Sequence, residues 1–566
     1  MKKHRRQQAV EQPAAAAGPW WPWIAGLVAF LFALQVYGPA IDGDFVLDDR
    51  GAPFLNPNAA SFSFWQWIGT NRPLLMFSYW INHEISGLKP GSYHILNVFF
   101  HTLTAIAFTL VIARILTWTG LSGRLRAGLA VFGGALFLFH PVQAESVAYV
   151  SSRSEILSVL FVLSAFALWL HAGERPVSAV RSIVIMVLFA LAILTKEHTV
   201  MLPLLVILTD FFFQRGGLKR NRFLYGMFLV GAAFGAYVII RVLRVATTVG
   251  FDLKNLSPAT YFFTQCRVIW TYVRLFLVPV GLNADPDVAV SHSILDHGTL
   301  YGLAALLGVV VAAWIYRKRF PLASYGTFVF LLLLAPTSSF MPIDDVQAER
   351  RLYLPFLGLV LIVLEVARRF EYRRILGAGG AIIAILAVLT YQRSAVWAGP
   401  VPLWTDAATK SPKKVRPRFQ LAYAYYEQGQ CPMAVTHYEA AAQLAAPTYD
   451  LMADWALALD CGGRTTDAIP KAREAASLEN SAHVHALLGM LHAKIGDFQR
   501  ALQELAVAEK IDPRFEMTYV YRGNIAERGG DRAAAAREYR KALAVNPYNG
   551  PAQEGLTRLS RNGAGQ

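Results

Sequence analysis

The chain has 566 residues, 55% of them hydrophobic and only 16% charged, with a formal charge of +15 at neutral pH. That composition excludes a fully soluble protein, and the length exceeds a single domain. The positive charge does not signal nucleic acid, because the basic residues cluster between apolar segments rather than on one soluble face.

Apolar stretches recur from residue 20 to about residue 391 and then stop. The sequence therefore predicts a cytoplasmic tail over 1–19, a polytopic membrane region over 20–397, a linker over 398–414 and a soluble region over 415–566. Met1-Lys2-Lys3-His4-Arg5-Arg6 resembles a signal-peptide n-region. The apolar segment behind it is long enough to span and no cleavage site is evident, so it reads as a retained anchor. Spans are expected near 20–40, 92–115, 127–140, 155–171, 180–195, 198–213, 223–241, 299–316, 322–340, 353–367 and 375–391.

Basic clusters fall in every second loop: Lys2 to Arg6, Arg114 with Arg124 and Arg126, and Arg175 with Arg181. Arg215 with Lys219, Arg220 and Arg222 follows, then Arg317-Lys318-Arg319, then Arg368-Arg369 with Arg373-Arg374. This alternation is what the positive-inside rule gives for eleven spans that start in the cytoplasm. The remaining loops and the C-terminal region then face outward. Residues 258–280 are apolar but interrupted by Gln265, Arg267 and Arg274, and read as an interfacial or re-entrant amphipathic helix within an outer loop of 242–298.

The outward loops hold most of the unusual polar residues. Asp48 and Asp49 follow the first span, and then come Asn71-Arg72-Pro73-Leu74, Tyr93-His94-Ile95-Leu96-Asn97 with His101, and His140-Pro141-Val142-Gln143-Ala144-Glu145. Ser151-Ser152-Arg153-Ser154-Glu155, Lys196-Glu197-His198 and Asp344-Asp345-Val346-Gln347-Ala348-Glu349-Arg350-Arg351 complete the set. An acidic pair at a membrane exit is costly if buried and idle if merely solvated, unless it serves as a base or pairs with Arg50. The histidines His83, His94, His101 and His140 have no metal-ligand spacing and read as structural, so no metal site is expected. Asp285 and Asp287 flank Pro286 and read as turn residues.

From residue 415 the chain repeats. Gly489 recurs as Gly523, Gly496-Asp497 as Gly530-Asp531, Ala501 as Ala535 and Asp512-Pro513 as Asn546-Pro547, each 34 residues on. Weaker copies match Ala422 to Ala456 and Gly429 to Gly463. This period resembles the tetratricopeptide repeat (TPR), with units near 415–447, 448–480, 481–513 and 514–547 and a capping helix over 551–561. Such an array offers a concave peptide-binding surface, or else a stalk or dimerisation module. Cys431 and Cys461 lie near the turns of successive repeats, where an oxidising compartment would allow them to pair.

The ordered motifs "LDDR", "RPL", "YHILN", "HPVQAESVAYVSSRSEILS", "KEH" and "AERRLYLPFLG", followed by repeats, resemble the transmembrane-and-TPR protein O-mannosyltransferases, a family of the C-type glycosyltransferase superfamily. The resemblance covers essentially the whole chain. It implies an all-α polytopic bundle followed by a TPR solenoid. It also implies transfer of a sugar, mannose by family default, from polyprenyl phosphate to a protein Ser/Thr hydroxyl, with inversion.

In that scheme Asp48 is the base and Asp49 assists. Arg351 and Lys196 lead the candidates for the donor phosphate, with Arg72, Arg153 and Arg350 behind them. His94, His140, Glu145 and Glu197 are possible sugar or acceptor contacts. No cofactor is implied, although a divalent cation could bridge the acid pair and the phosphate. The expected partners are the lipid-linked sugar, the bilayer and an acceptor protein at the repeats, with no nucleic acid. Short loops and an Ala/Arg-rich composition point to a bacterial inner membrane with the repeats in the periplasm, the endoplasmic reticulum being the alternative. A glycan or lipid acceptor, a non-catalytic envelope scaffold and a lipid-linked sugar transporter are the competing readings. The last is disfavoured because the ionisable residues gather at span ends.

Overall fold

The computed structural model describes residues 20–561 apart from 57–58, 60–61, 71, 174–175, 214–216, 245–247, 252 and 254–255. Lys2 to Arg6, the rest of the predicted tail, Asn71, Arg175 and Arg215 lie outside the described residues. The described chain is all-helical, with one isolated antiparallel bridge between Val249 and Ile343. It divides into two compact units, Met1–Pro402 and Leu403–Gln566. The stretch predicted as a linker holds the helix Pro400–Lys410.

In the first unit the helix Pro90–Trp118 is central, packing on Trp21–Val36, Gly123–Phe139 and Arg153–Leu170. Every one of the eleven predicted segments contains a helix. Among the described residues five segments are long and apolar enough to cross a bilayer unaided: Pro90–Trp118, Val150–Leu170, Arg222–Leu243, Asp296–Ile315 and Tyr372–Val396. A sixth arises if Gly123–Phe139 and Pro141–Ala148, bent by 49°, form one span. Trp21–Val36, Ala179–Thr195, Pro321–Leu334 and Phe356–Ala367 are apolar but shorter, so the structure does not establish eleven spans. Pro258–Leu277 forms a helix of 20 residues that buries Gln265 and donates its side-chain amide to the Val346 carbonyl at 2.8 Å.

Small residues permit a close helix crossing in this unit. A Cβ on Gly326 would lie 2.5 Å from the Gly358 carbonyl oxygen, and one on Gly358 would lie 2.3 Å from that of Gly326. The two helices thus touch backbone to backbone, as small residues permit in membrane bundles. The bend at His140 has a local cause. Pro141 follows it, and its Nδ1 accepts the Val142 N–H at 3.2 Å while Thr390 Oγ1 donates to the Phe139 carbonyl at 2.7 Å. The chain therefore stops one helix and starts another, which brings 145–155 beside the loop that follows the first helix.

The second unit is a TPR array. Its helix pairs are Val415–Glu427 with Cys431–Ala442, Tyr449–Cys461 with Thr465–Leu478, Ala482–Lys494 with Phe498–Ile511, and Glu516–Arg528 with Arg532–Val545. Gly550–Arg561 closes the series. Each pair turns on a glycine with positive φ: Gly429 at 70°, Gly463 at 76°, Gly496 at 86° and Gly530 at 81°. A side chain there would be strained, which explains the recurrence of glycine. The small residues mark the helix crossing, since a Cβ on Gly489 would sit 2.6 Å from Leu505 and one on Gly523 would sit 2.6 Å from Tyr539.

Cys431 and Cys461 are disulfide-bonded with Cα atoms 5.7 Å apart, joining the first repeat to the second. Closing a 30-residue separation by a covalent link contributes about 3–4 kcal/mol by chain entropy. Reducing the purified protein should therefore lower the melting temperature of the repeat unit. Scanning calorimetry with and without a thiol reductant measures this, and an unchanged transition would contradict it.

Candidate functional site

The loop after the first helix is held by a small aromatic core of Phe45, Phe54, Trp67, Tyr79 and Tyr93. Leu47, just before the acid pair, has φ of 52°, a left-handed conformation that costs a non-glycine residue roughly 1–2 kcal/mol. Asp49 sustains that turn. It is fully buried, and its Oδ1 accepts the Ser151 N–H at 2.7 Å and the Ser151 hydroxyl at 2.5 Å, while Oδ2 accepts the Val46 N–H at 3.2 Å. Burial outweighs these bonds and pushes the Asp49 carboxyl up to about 7.

Asp48 has the opposite setting. It is exposed, and its backbone N–H donates to the Tyr149 hydroxyl at 3.0 Å. Tyr149 also feels the charges of Asp49 and Arg350, so it stands between the acid pair and the basic residues of the 345–352 loop. Adjacent residues thus have separate settings, Asp49 as a buried anchor and Asp48 as an exposed carboxylate beside the Tyr149 hydroxyl.

Three cations converge from three further loops. Arg72 pairs with Glu197 through Nε and one terminal nitrogen, both at 3.0 Å, and is about one-third exposed. Lys196 pairs with Glu155 at 2.5 Å, and Glu155 also lies 3.4 Å from His198 Nε2. Arg350 pairs with Glu145 through side chain and backbone, and lies 3.8 Å from Asp345. Lys196 experiences both Arg72 and Arg350, which makes the three pairs one electrostatic group. Burial lowers the Lys196 ammonium below its ordinary range, Glu155 opposing this. Among the described residues no cluster of histidine, cysteine or acidic side chains forms a metal site.

Other predicted contacts lie apart from this group. Arg153 is fully buried and its guanidinium is saturated by Asn97 Oδ1 at 2.7 Å, Asn82 Oδ1 at 2.9 Å, the Tyr93 carbonyl at 3.0 Å and the Ser78 carbonyl at 3.3 Å, under the rings of Tyr79 and Tyr93. These bonds commit the buried guanidinium to the fold: the arginine ties helix Pro73–Ser86 to Pro90–Trp118. Arg351 is 8% exposed and donates to the Tyr261 hydroxyl and to the carbonyls of Val346 and Asp345. These contacts hold Arg351 to the loop that precedes it, and the neighbouring Arg350 is the residue paired with Glu145.

His140 lies against Phe276, whose carbonyl it meets through Nε2 at 2.9 Å, and is buried at a helix break rather than open to a sugar. His94 is buried against the backbone of Gly43 and Ala148. His101 joins Tyr353 at 2.7 Å and the Leu138 carbonyl at 3.2 Å, a structural use. Glu145 and Glu197 neutralise Arg350 and Arg72. Sequence reasoning missed Ser151, Tyr149 and His198 as parts of the site. Each stands inside a quoted motif, and only the fold brings them to the acid pair and Glu155.

These features define a multi-pass membrane protein with a C-terminal TPR array and a polar, charge-dense site formed by several inter-helix loops. No described protein-family profile matches the chain. It is 24% identical over 453 residues to the protein O-mannosyl-transferase F38B6.6 of Caenorhabditis elegans, covering 75% of this chain and 63% of that one. It is 25% identical over 502 residues to human TMTC4, a protein O-mannosyl-transferase, covering 75% and 66%. Against human TMTC2 it is 30% identical over 173 residues, 28% of this chain and 20% of that one. The chain is thus a relative of the transmembrane-and-TPR protein O-mannosyltransferases, and it spans less than two thirds of the length of the worm protein. Solved structures include YrrB, a TPR protein with an unusual peptide-binding site, at 16% identity, 33% of this chain, 89% of that one and a TM-score of 0.25. The Cut9–Hcn1 hetero-tetramer of APC/C gives 16% identity, 86% of this chain, 92% of that one and a TM-score of 0.26.

Because Asp49 binds its proton more tightly in the fold than an ordinary aspartate near 3.8, the associated stability is fully present below that value and is lost as pH rises through about 7. The wild type should gain stability, on the order of 2 kcal/mol, between pH 7.5 and pH 5 relative to Asp49→Asn. Thermal unfolding at the two pH values measures the difference; parallel curves for both proteins would contradict it.

Proposed function

We propose that the protein is a membrane glycosyltransferase that moves a sugar, mannose by resemblance, from a polyprenyl-phosphate donor to a serine or threonine hydroxyl of a protein. The observation that carries this reading is the exposed Asp48, fixed by the buried Asp49 and linked through Tyr149 to the loop that carries Arg350. The relatives named protein O-mannosyl-transferases support the reaction class.

In this mechanism Asp48 accepts the proton as the acceptor oxygen attacks the anomeric carbon. The bond from that carbon to the phosphate oxygen breaks on the opposite face, and its electron pair leaves with polyprenyl phosphate, which gives inversion. Arg72, Lys196 and Arg350 meet the phosphate charge, each exchanging part of its glutamate pairing for phosphate oxygens. Arg72 engages Glu197 through only two of its three nitrogens, so it retains donors for a second anion.

The site is assigned to the outer face by the alternation of basic loops, with the repeats on the same side to hold the acceptor polypeptide. The disulfide Cys431–Cys461 supports an oxidising compartment for the repeats. We assign the chain to a bacterial inner membrane with a periplasmic repeat domain.

Asp48→Asn should abolish O-glycosylation of envelope proteins, a loss of at least about 100-fold, without changing the abundance of the protein. Arg72→Gln should instead weaken use of the donor. Mass spectrometry of envelope glycopeptides from cells carrying each variant tests this. Full modification in the Asp48→Asn strain would overturn the proposal.

A further inference from the structure

The inner face of the TPR array carries an unbalanced set of charges. The residues two before the small helix-crossing positions Ala456 and Gly523 are Asp454 and Tyr521. Tyr521 lines a cleft with Met490, Lys494, Asn524 and Arg528, so the equivalent Asp454 belongs to the same inner face two repeats earlier. Further along this face Asp460 is neutralised by Lys494 at 2.5 Å. Asp450 and Asp454, one helical turn apart on Tyr449–Cys461, are paired with no cation among the described residues.

Two like charges at i and i+4 repel. Burial lowers the His483 imidazole below its ordinary value, Asp450 opposing this, and its Nδ1 meets the Tyr449 hydroxyl at 2.8 Å. Tyr438 stands beside Asp454, fully buried, with a hydroxyl that has no hydrogen-bond partner among the described residues. Tyr426 also lies within reach of Asp454. Burial, and then Asp450, push the Asp454 carboxyl up to about 6, as befits an acid that lacks a counter-charge.

We propose that this inner face of the first two repeats binds a basic side chain, lysine or arginine, of an extended acceptor polypeptide, with Asp450 and Asp454 as counter-charges, the Tyr438 hydroxyl as a further contact and Tyr426 as an aromatic wall. The proposal rests on the reading that the repeats hold the acceptor, and it adds the acceptor's chemistry. A cation there meets two carboxylates and a ring face, which is the environment that recognises an alkylammonium or a guanidinium. Selection then concerns a residue near the modified serine or threonine rather than the hydroxyl itself.

The test uses the full-length protein in detergent and fluorescent Ser/Thr-rich peptides that differ only in one central position: lysine, acetyl-lysine or glutamine. The lysine peptide should bind at least fivefold more tightly than the other two, and this preference should vanish in Asp450→Asn with Asp454→Asn. The acetyl-lysine comparison uses the unaltered protein, so it holds even where a variant folds poorly. Equal binding of the three peptides by the wild type, or a preference retained in the double variant, would overturn the cation site while leaving acceptor binding intact. Failure of all three peptides to bind would overturn both the cation site and the acceptor role of the repeats.

Discussion

A carboxylate buried without solvent has to be satisfied by the protein, and Asp49 is satisfied by the backbone and hydroxyl of Ser151 and the backbone of Val46. This triple contact fastens the loop after the first helix to the start of the helix Arg153–Leu170, 102 residues further along the chain. It holds the left-handed turn at Leu47 and thereby fixes the direction of Asp48. Arg153, two residues beyond Ser151, is saturated by Asn82, Asn97 and two carbonyls, which makes the platform under the loop rigid. The exposed carboxylate at Asp48, beside the Tyr149 hydroxyl, is therefore presented by a rigid support.

Charge balance gives the rest of the site its character. Arg72, Lys196 and Arg350 each carry their own glutamate, so three cations coexist in a partly buried space without mutual expulsion. An isolated lysine in such a place would lose its proton to desolvation, which the pairing with Glu155 resists. Under the proposed function, the same pairing means that the donor phosphate would compete with a carboxylate rather than enter an empty site. That suits a donor held tightly enough to react and released once its sugar has gone.

Much of the fold was legible because it rests on local rules. The four positive-φ glycines sit at the repeat turns, and Gly489 and Gly523 sit where a Cβ would collide with Leu505 and Tyr539. Both facts follow from the 34-residue period alone. The motifs also identified the loops that converge. What the sequence left open was which basic residue in a motif is spent on the fold. Arg350 and Arg351 are adjacent, yet Arg351 is taken up by Tyr261 and two carbonyls and Arg350 faces Glu145. Arg153 is likewise decided by acceptors on two other helices. The number of acceptors around a guanidinium depends on tertiary contacts, and no local pattern carries it. Span number was equally inaccessible, since helices such as Phe356–Ala367 are apolar but only 12 residues long.

The most direct measurement is sugar transfer by the purified protein in proteoliposomes, with a Ser/Thr peptide and one of two radiolabelled donors, polyprenyl-phosphate mannose or a nucleotide-linked mannose. The proposed function, with Asp48 as base and the donor phosphate at Arg72, Lys196 and Arg350, predicts label in the peptide from the lipid-linked donor alone, with inverted anomeric configuration. Transfer from the nucleotide sugar, or from neither donor, would contradict the account.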